Sequence, residues 1–271
     1  MKNILLRSLT GLIYVGLIIT CVLVSDVTYL CLVSLLCILA SVEFFKLANH
    51  DSAKSISLIN VIDILCGLSL IGGIWAFVNY FSPYILGVFL LLVIARFIST
   101  LYIKDGLPLR NLTRSMTGIM YIALPLALST MLYEISKHIV LAMFVFIWIN
   151  DTGAFLVGSA IGRHRLFERI SPKKSWEGFW GGLVFCIAAA IAMFNFWPCY
   201  FTDLKMGTMI LFGIVVSVFA TWGDLVESLI KRTINVKDSG NIMPGHGGIL
   251  DRIDSLLIVI PAVMCMMIFL M

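Results

Sequence analysis

The sequence predicts an all-α polytopic membrane protein of about nine transmembrane helices, and three observations carry that expectation. Of the 271 residues, 61% are hydrophobic and 13% charged, against ~25% charged in ordinary soluble domains. The mean hydropathy is +1.04. The apolar residues also fall into runs near the roughly 20 residues that a hydrocarbon core about 30 Å thick demands of a helix.

In order, the runs lie near residues 9–24, 27–45, 56–78, 83–103, 116–133, 139–161, 179–197, 206–230 and 253–270. Only Ser25 and Asp26 separate the first two, so the count is checked against charge. With the N-terminus inside, the inward loops collect nearly all Lys and Arg, from Lys2, Arg7 and Lys46 through Arg110, Arg114, Arg163, Arg165, Arg169, Lys173 and Lys174 to Lys231, Arg232, Lys237 and Arg252. The outward side keeps Lys137 and Lys205. Cytoplasmic loops carry that excess, so an odd number of spans, N-terminus cytoplasmic and C-terminus outside, is expected. The net charge of +4 follows this topology and does not call for a nucleic-acid partner. Lys2 and Arg7 before an apolar stretch resemble a signal peptide, but a retained first span fits better. The seven cysteines form no CxxC and are expected as buried thiols, not as a zinc site or disulfide framework.

No linker or internal repeat interrupts the chain, which reads as one membrane domain with two unlike halves. Residues 1–137 are mainly scaffold and lipid-facing, with Glu43, Asp63 and Arg96 as isolated ionisable groups of structural or interfacial kind; Arg96 is expected to snorkel toward the inner end of its span. Residues 138–271 carry the polar chemistry. The densest stretch runs from Trp222 to Ser255 between two apolar runs. One ionisable group at the centre of a membrane helix costs roughly 2.5–3.5 kcal/mol, so several together imply a hydrated, protein-lined pocket.

Within the second half, Asn150 and Asp151 interrupt the sixth run, followed by Gly153, Gly158 and Gly162, which permit close helix approach. Asp151 is either a buried structural acid or part of the pocket. In the next loop Ser171 and Pro172 look like a helix start, placing Lys173 and Lys174 in the first turns with Glu177 after them, where free N–H groups, the helix dipole and two ammonium groups suit a phosphate. A merely topogenic basic loop is the alternative. Asp224, Glu227, Ser228 and Lys231 recur at helical spacing on one face; the acids could hold a divalent cation, or Glu227 could simply neutralise Lys231. Pro244, Gly245, His246, Gly247 and Gly248 make a permissive loop that lacks the Walker pattern yet could approach phosphate. Asp251 and Asp254 are three apart on a further helix start and with Asp224 would make a three-carboxylate Mg²⁺ site, Mg²⁺ favouring carboxylates together with phosphate oxygens. Basic loops, a Gly-rich segment and acidic metal ligands together indicate phosphoryl or nucleotidyl transfer.

The stretch SLIKRTINVKDSGNIMPGHGGILDRIDS, Ser228 to Ser255, resembles the signature of the phosphatidate cytidylyltransferases: Lys-Arg, Lys-Asp, Pro-x-His-Gly-Gly and Asp-Arg-x-Asp at intact spacing. NDTGAF and SPKKSWEG upstream are similar to the family's segments, with Phe155 where Tyr is common and Ser175 where Thr is usual. The resemblance implies CTP and phosphatidate as substrates, CDP-diacylglycerol and pyrophosphate as products, and Mg²⁺ as cofactor, with a second, monovalent cation as a further candidate. It implies a homodimer with its site toward the cytoplasm, and the short chain without a long N-terminal extension makes a prokaryotic inner membrane the expected location. Asp224, Lys231, Asp251 and Asp254 become the catalytic candidates, and Asp224, Glu227, Asp251 and Asp254 the metal ligands. Asn150, Asp151, Ser171, Lys173, Lys174, Glu177, Arg232, Lys237, His246, Gly247 and Gly248 become the substrate-binding candidates. The alternatives are a CTP-dependent polyprenol kinase and, from a different class, a cation-coupled transporter.

Overall fold

The computed structural model describes residues 2–48, 58–102, 107–201, 204–240, 242 and 247–270. Among these, eight helices are long and apolar enough to cross a membrane, and Leu9–Val24 is a shorter apolar one. The expectation of about nine spans therefore holds, and the chain is an integral membrane protein. Its contacts divide it into two compact units, Met1–Ile135 with Asp238–Arg252, and Ser136–Lys237 with Ile253–Met271. The segment Asp238–Arg252 belongs to the first unit although it lies far along the chain.

In the first unit, α1 (Lys2–Val24) and α2 (Asp26–Ala48) are separate helices because Ser25 is a cap. Its Oγ accepts from the Thr28 N–H at 3.1 Å and Thr28 Oγ1 accepts from the Ser25 N–H at 3.1 Å, the reciprocal arrangement of a capping box. Next come α3 (Leu58–Tyr80), α4 (Tyr84–Ser99) and α5 (Pro108–Gly118), which runs through a π turn at Ile119–Ala123 into α6 (Leu124–Ile135). Pro125 explains the π turn: it lacks an N–H and its ring crowds the carbonyl four residues back, so the helix widens before it. Arg96 does not snorkel. It is fully buried, with Nε 3.1 Å from Asp63 Oδ1 and 3.0 Å from Ser115 Oγ, while Ser115 Oγ donates to Asp63 Oδ2 at 2.6 Å. The two groups that read as isolated are partners, 33 residues apart.

The second unit contains α7 (Lys137–Ile161), a hairpin of β1 (Arg165–Phe167) and β2 (Ser171–Ser175), α8 (Trp176–Phe196), α9 (Met206–Thr233) and most of α10 (Leu250–Leu270). Small residues set how closely its helices pack. A Cβ on Gly153 would lie 2.8 Å from Phe185, on Gly181 2.5 Å from Val157 and on Gly182 2.5 Å from Asn150 Oδ1, so α7 and α8 touch at distances that larger residues forbid. The cysteines are free thiols, but only Cys37, Cys66 and Cys186 are buried; the expectation of buried thiols fails for the exposed Cys31, Cys199 and Cys265, whose faces of the helix or loop are not packed against the protein.

Candidate functional site

The loop after α7 is built differently from the sequence expectation. Ser171 and Pro172 do not begin a helix; residues Ser171–Ser175 are a strand paired antiparallel with β1. Pro172 is tolerated because a two-stranded ribbon leaves outward N–H positions unpaired. The helix begins one turn later, with Ser175 as the cap whose Oγ accepts from the Gly178 N–H at 3.1 Å. What seats the hairpin is burial of Leu166 and Ile170 against Leu225 of α9 and an edge-to-face contact of Phe167 with Trp222, ring centroids 5.7 Å apart. Lys173 is thereby exposed and Lys174 half-buried. Glu177 accepts from the Arg163 N–H at 3.1 Å and the His164 N–H at 3.2 Å, and sits 2.6 Å from His164 Nδ1, closing the start of the hairpin.

Between α7, the hairpin, α8 and α9 lies a cavity of about 590 Å³, inside the roughly 300–1,000 Å³ of small-molecule sites. Arg165, Lys173 and Lys174 line it together with Asp151 and Asp224, and Asn150, Ser175 and Thr221 add neutral polar groups. Asp151 is exposed, which decides for the pocket over a buried structural acid. Asn150 is buried and its Oδ1 accepts from Ser217 Oγ at 2.7 Å, tying α7 to α9. Lys174 Nζ lies 2.6 Å from Asp224 Oδ2 and reaches the Thr221 carbonyl at 3.5 Å. Arg165, read from sequence only as part of the basic loop, is on this wall; the hairpin that turns it there has no periodic signal of its own.

The second acid comes from α10. A Cβ on Gly223 would lie 2.8 Å from the Cα of Ser255 and 2.9 Å from the carbonyl of Asp254, and Ser255 Oγ donates to the Ala220 carbonyl at 3.0 Å. Backbone contact at this crossing sets Asp224, next to Gly223, beside Asp254, next to Ser255. Asp254 accordingly feels Asp224 and Asp151 as like charges and Lys231 as an opposite one. On the same helix face as Asp224, Lys231 is ion-paired with Glu227, both buried, so the neutralising alternative is the one realised. Arg232 spends its guanidinium on backbone carbonyls, those of Ile170 at 3.4 Å and Val236 at 3.0 Å. Lys237 is exposed.

Asp251 belongs to the first unit and is engaged there. Its carboxylate accepts from the Ser239 N–H at 3.0 Å and the Gly248 N–H at 2.9 Å. Gly247 has a left-handed φ of +89° and a Cβ there would come 2.9 Å from Asp251 Oδ2, so glycine is required on both counts. His246 lies outside the described residues. Among the described residues no group of three or more His, Cys, Asp or Glu could hold a metal ion; of the three carboxylates expected to share one, Asp224 and Asp254 belong to the second unit and Asp251 to the first.

The sequence matches the model of the cytidylyltransferase family over residues 5–270. The chain belongs to that family. Members of the family similar to this chain include proteins named phosphatidate cytidylyltransferase from Staphylococcus aureus (strain COL), 48% identical over 126 residues, and from Staphylococcus haemolyticus, 46% identical over 126 residues. In each case the aligned stretch spans 46% of this chain and 46% of the relative, so the match covers about half the length of those cytidylyltransferases.

Proposed function

We propose that this cytidylyltransferase-family protein transfers the cytidylyl group of CTP to phosphatidate, giving CDP-diacylglycerol and pyrophosphate. The observation that carries the reading is the cavity in which Arg165, Lys173 and Lys174 face Asp151 and Asp224. A phosphate oxygen of the lipid attacks the α-phosphorus of CTP; the new P–O bond forms as the bond to the bridging oxygen of the β-phosphate breaks and pyrophosphate departs with that electron pair. A phosphate monoester is already anionic near neutral pH, so no strong base is required. The chain's own task is to bring two polyanions together, and basic side chains positioned in a low-dielectric wall do that by orientation and charge neutralisation.

The donors suit Mg²⁺. That ion is usually held by one or two carboxylates plus substrate phosphates and keeps several waters, which matches the pair Asp224 and Asp254 better than a closed protein cage would. When bound, Mg²⁺ would neutralise charge on the triphosphate. Lys174 holds the Asp224 carboxylate in place at 2.6 Å, and Thr221 and Asn150 supply polar surface for the nucleotide. The same reading makes the protein a homodimer of a bacterial cytoplasmic membrane with the basic hairpin toward the cytoplasm, as the positive-inside distribution supports.

The test supplies purified protein in lipid–detergent micelles with α-labelled and γ-labelled CTP in parallel, with phosphatidate and with Mg²⁺ or EDTA. Label from the α-phosphate should enter lipid, and label from the γ-phosphate should leave as pyrophosphate. Transfer of the γ-label to a lipid would instead establish the kinase alternative, and no transfer of either would overturn the proposal.

A further inference from the structure

We propose that Glu43, on α2, is a positioning residue for this reaction, acting through the residues on either side of the Pro-x-His-Gly-Gly element and through Asp251. Glu43 is 2% exposed, a carboxylate in a span with few other charges. Its partners are about 200 residues away in sequence: the hydroxyl of Ser239 at 3.1 Å, the N–H of Ile249 at 3.0 Å and the N–H of Leu250 at 2.8 Å. Ser239 precedes the Pro-x-His-Gly-Gly part of the signature and Ile249 and Leu250 follow it, so one carboxylate joins the residues on either side of that element. Asp251 does the same from the other side, accepting from Ser239 and Gly248. Two carboxylates that share Ser239 thus fix a single geometry, and displacing one displaces the other.

The surrounding residues are shaped for this contact. A Cβ on Gly240 would lie 2.6 Å from Glu43 Oε1, and one on Gly248 would lie 2.5 Å from Glu43 Oε2; both backbones approach as only glycine permits. Ile249 and Leu250 stand at the first turn of α10, whose N–H groups have no partner within the helix, and a negative group there is favoured by the helix dipole. A carboxylate is required for this. Glutamine offers one acceptor oxygen, and its NH₂ would oppose the N–H of Ile249 or of Leu250.

The catalytic arm of this inference rests on the cytidylyl-transfer reading with Asp251 among its catalytic candidates; the geometric arm does not. Amide hydrogen exchange of the full chain in detergent, read on peptides spanning 238–252, should rise about tenfold in Glu43→Gln, as expected for losing hydrogen bonds to a charged acceptor. On the monodisperse, folded fraction, kcat for CDP-diacylglycerol should fall at least about tenfold while KM for CTP stays within about twofold, since Asp251 is displaced and the basic cavity is untouched. Ser239→Ala, which removes one donor and keeps the backbone, should show a smaller change of the same sign in both measurements, and it decides the matter if Glu43→Gln fails to fold. Unchanged exchange overturns the clamp. Raised exchange with wild-type kcat per folded molecule overturns the positioning role. Absence of CTP turnover in the unsubstituted protein would sink the proposed activity and leave the exchange result standing.

Discussion

Gly223→Ala tests whether the α9–α10 crossing is what makes the acid pair. The added Cβ would sit 2.8 Å from the Cα of Ser255 and 2.9 Å from the Asp254 carbonyl, both backbone atoms that cannot rotate aside, whereas ordinary contact begins near 3.4 Å. The two helices must part locally by at least about 0.6 Å, and Asp224 and Asp254, each next in sequence to the point of contact, move apart with them. Overpacking of this kind costs about 1–3 kcal/mol of stability. A misplacement approaching 1 Å in a site working by orientation costs on the order of 10²-fold in rate. Turnover of CTP to CDP-diacylglycerol, normalised to folded protein from size-exclusion chromatography, should therefore fall about 10- to 100-fold. Two controls separate site from scaffold. Gly207→Ala, with nothing within 4 Å of its Cβ, should be silent, and Gly213→Ala, 3.0 Å from the Cys186 carbonyl, should lower thermal stability while sparing turnover per folded molecule. If Gly223→Ala turns over like Gly207→Ala, the crossing does not set the catalytic geometry and the acid-pair reading is wrong.

Two further outcomes are expected. Lys174→Ala should lower turnover by about 10²-fold, the scale of losing one charge-stabilising donor, with little loss of stability because Lys174 and Asp224 are both partly exposed; an unchanged rate returns the hairpin to a topogenic role. Arg96→Ala should destabilise the first unit by about 3–5 kcal/mol by leaving Asp63 buried and unpaired, read as a lowered midpoint of thermal unfolding in detergent. The double variant Arg96→Met with Asp63→Leu should recover most of the loss, and a single variant as stable as the unsubstituted protein would show that the pair does not hold the unit together.

Much of the architecture is legible because a bilayer imposes one length on every span. The break between the first two helices is legible too, once Ser25 and Thr28 are read as a cap and not as a polar interruption. Sequence reasoning failed wherever the deciding contact is remote. Ser171-Pro172 and Ser175 are both acceptable helix starts, and the choice is made by Leu166 and Ile170 packing on Leu225, more than fifty residues onward. Arg96 read as snorkelling because nothing in periodicity ties it to Asp63, and Glu43 read as isolated because its donors lie at the other end of the chain. The side-chain types of the cavity were legible as chemistry; Arg165 among them was not, since only the hairpin register turns it inward.

The two lysine–acid pairs that involve α9 illustrate what spacing alone does not distinguish. Both look like candidates for holding phosphate, yet their surroundings differ. Lys174 and Asp224 are 26% and 37% exposed at their side chains, while Lys231 and Glu227 are 11% and 1% exposed. A half-solvated pair contributes little net energy and exchanges partners readily, so Lys174 can trade part of its contact with Asp224 for a phosphate oxygen at small cost. A buried pair is expensive to break, because separating it strands a charge in low dielectric. Lys231 is thus held where it stands by Glu227, and under the proposed reaction Lys174 is the lysine suited to meeting the substrate. Under the proposed reaction that asymmetry divides the work: Lys174 can shift toward the incoming anion, while Lys231 stays on Glu227.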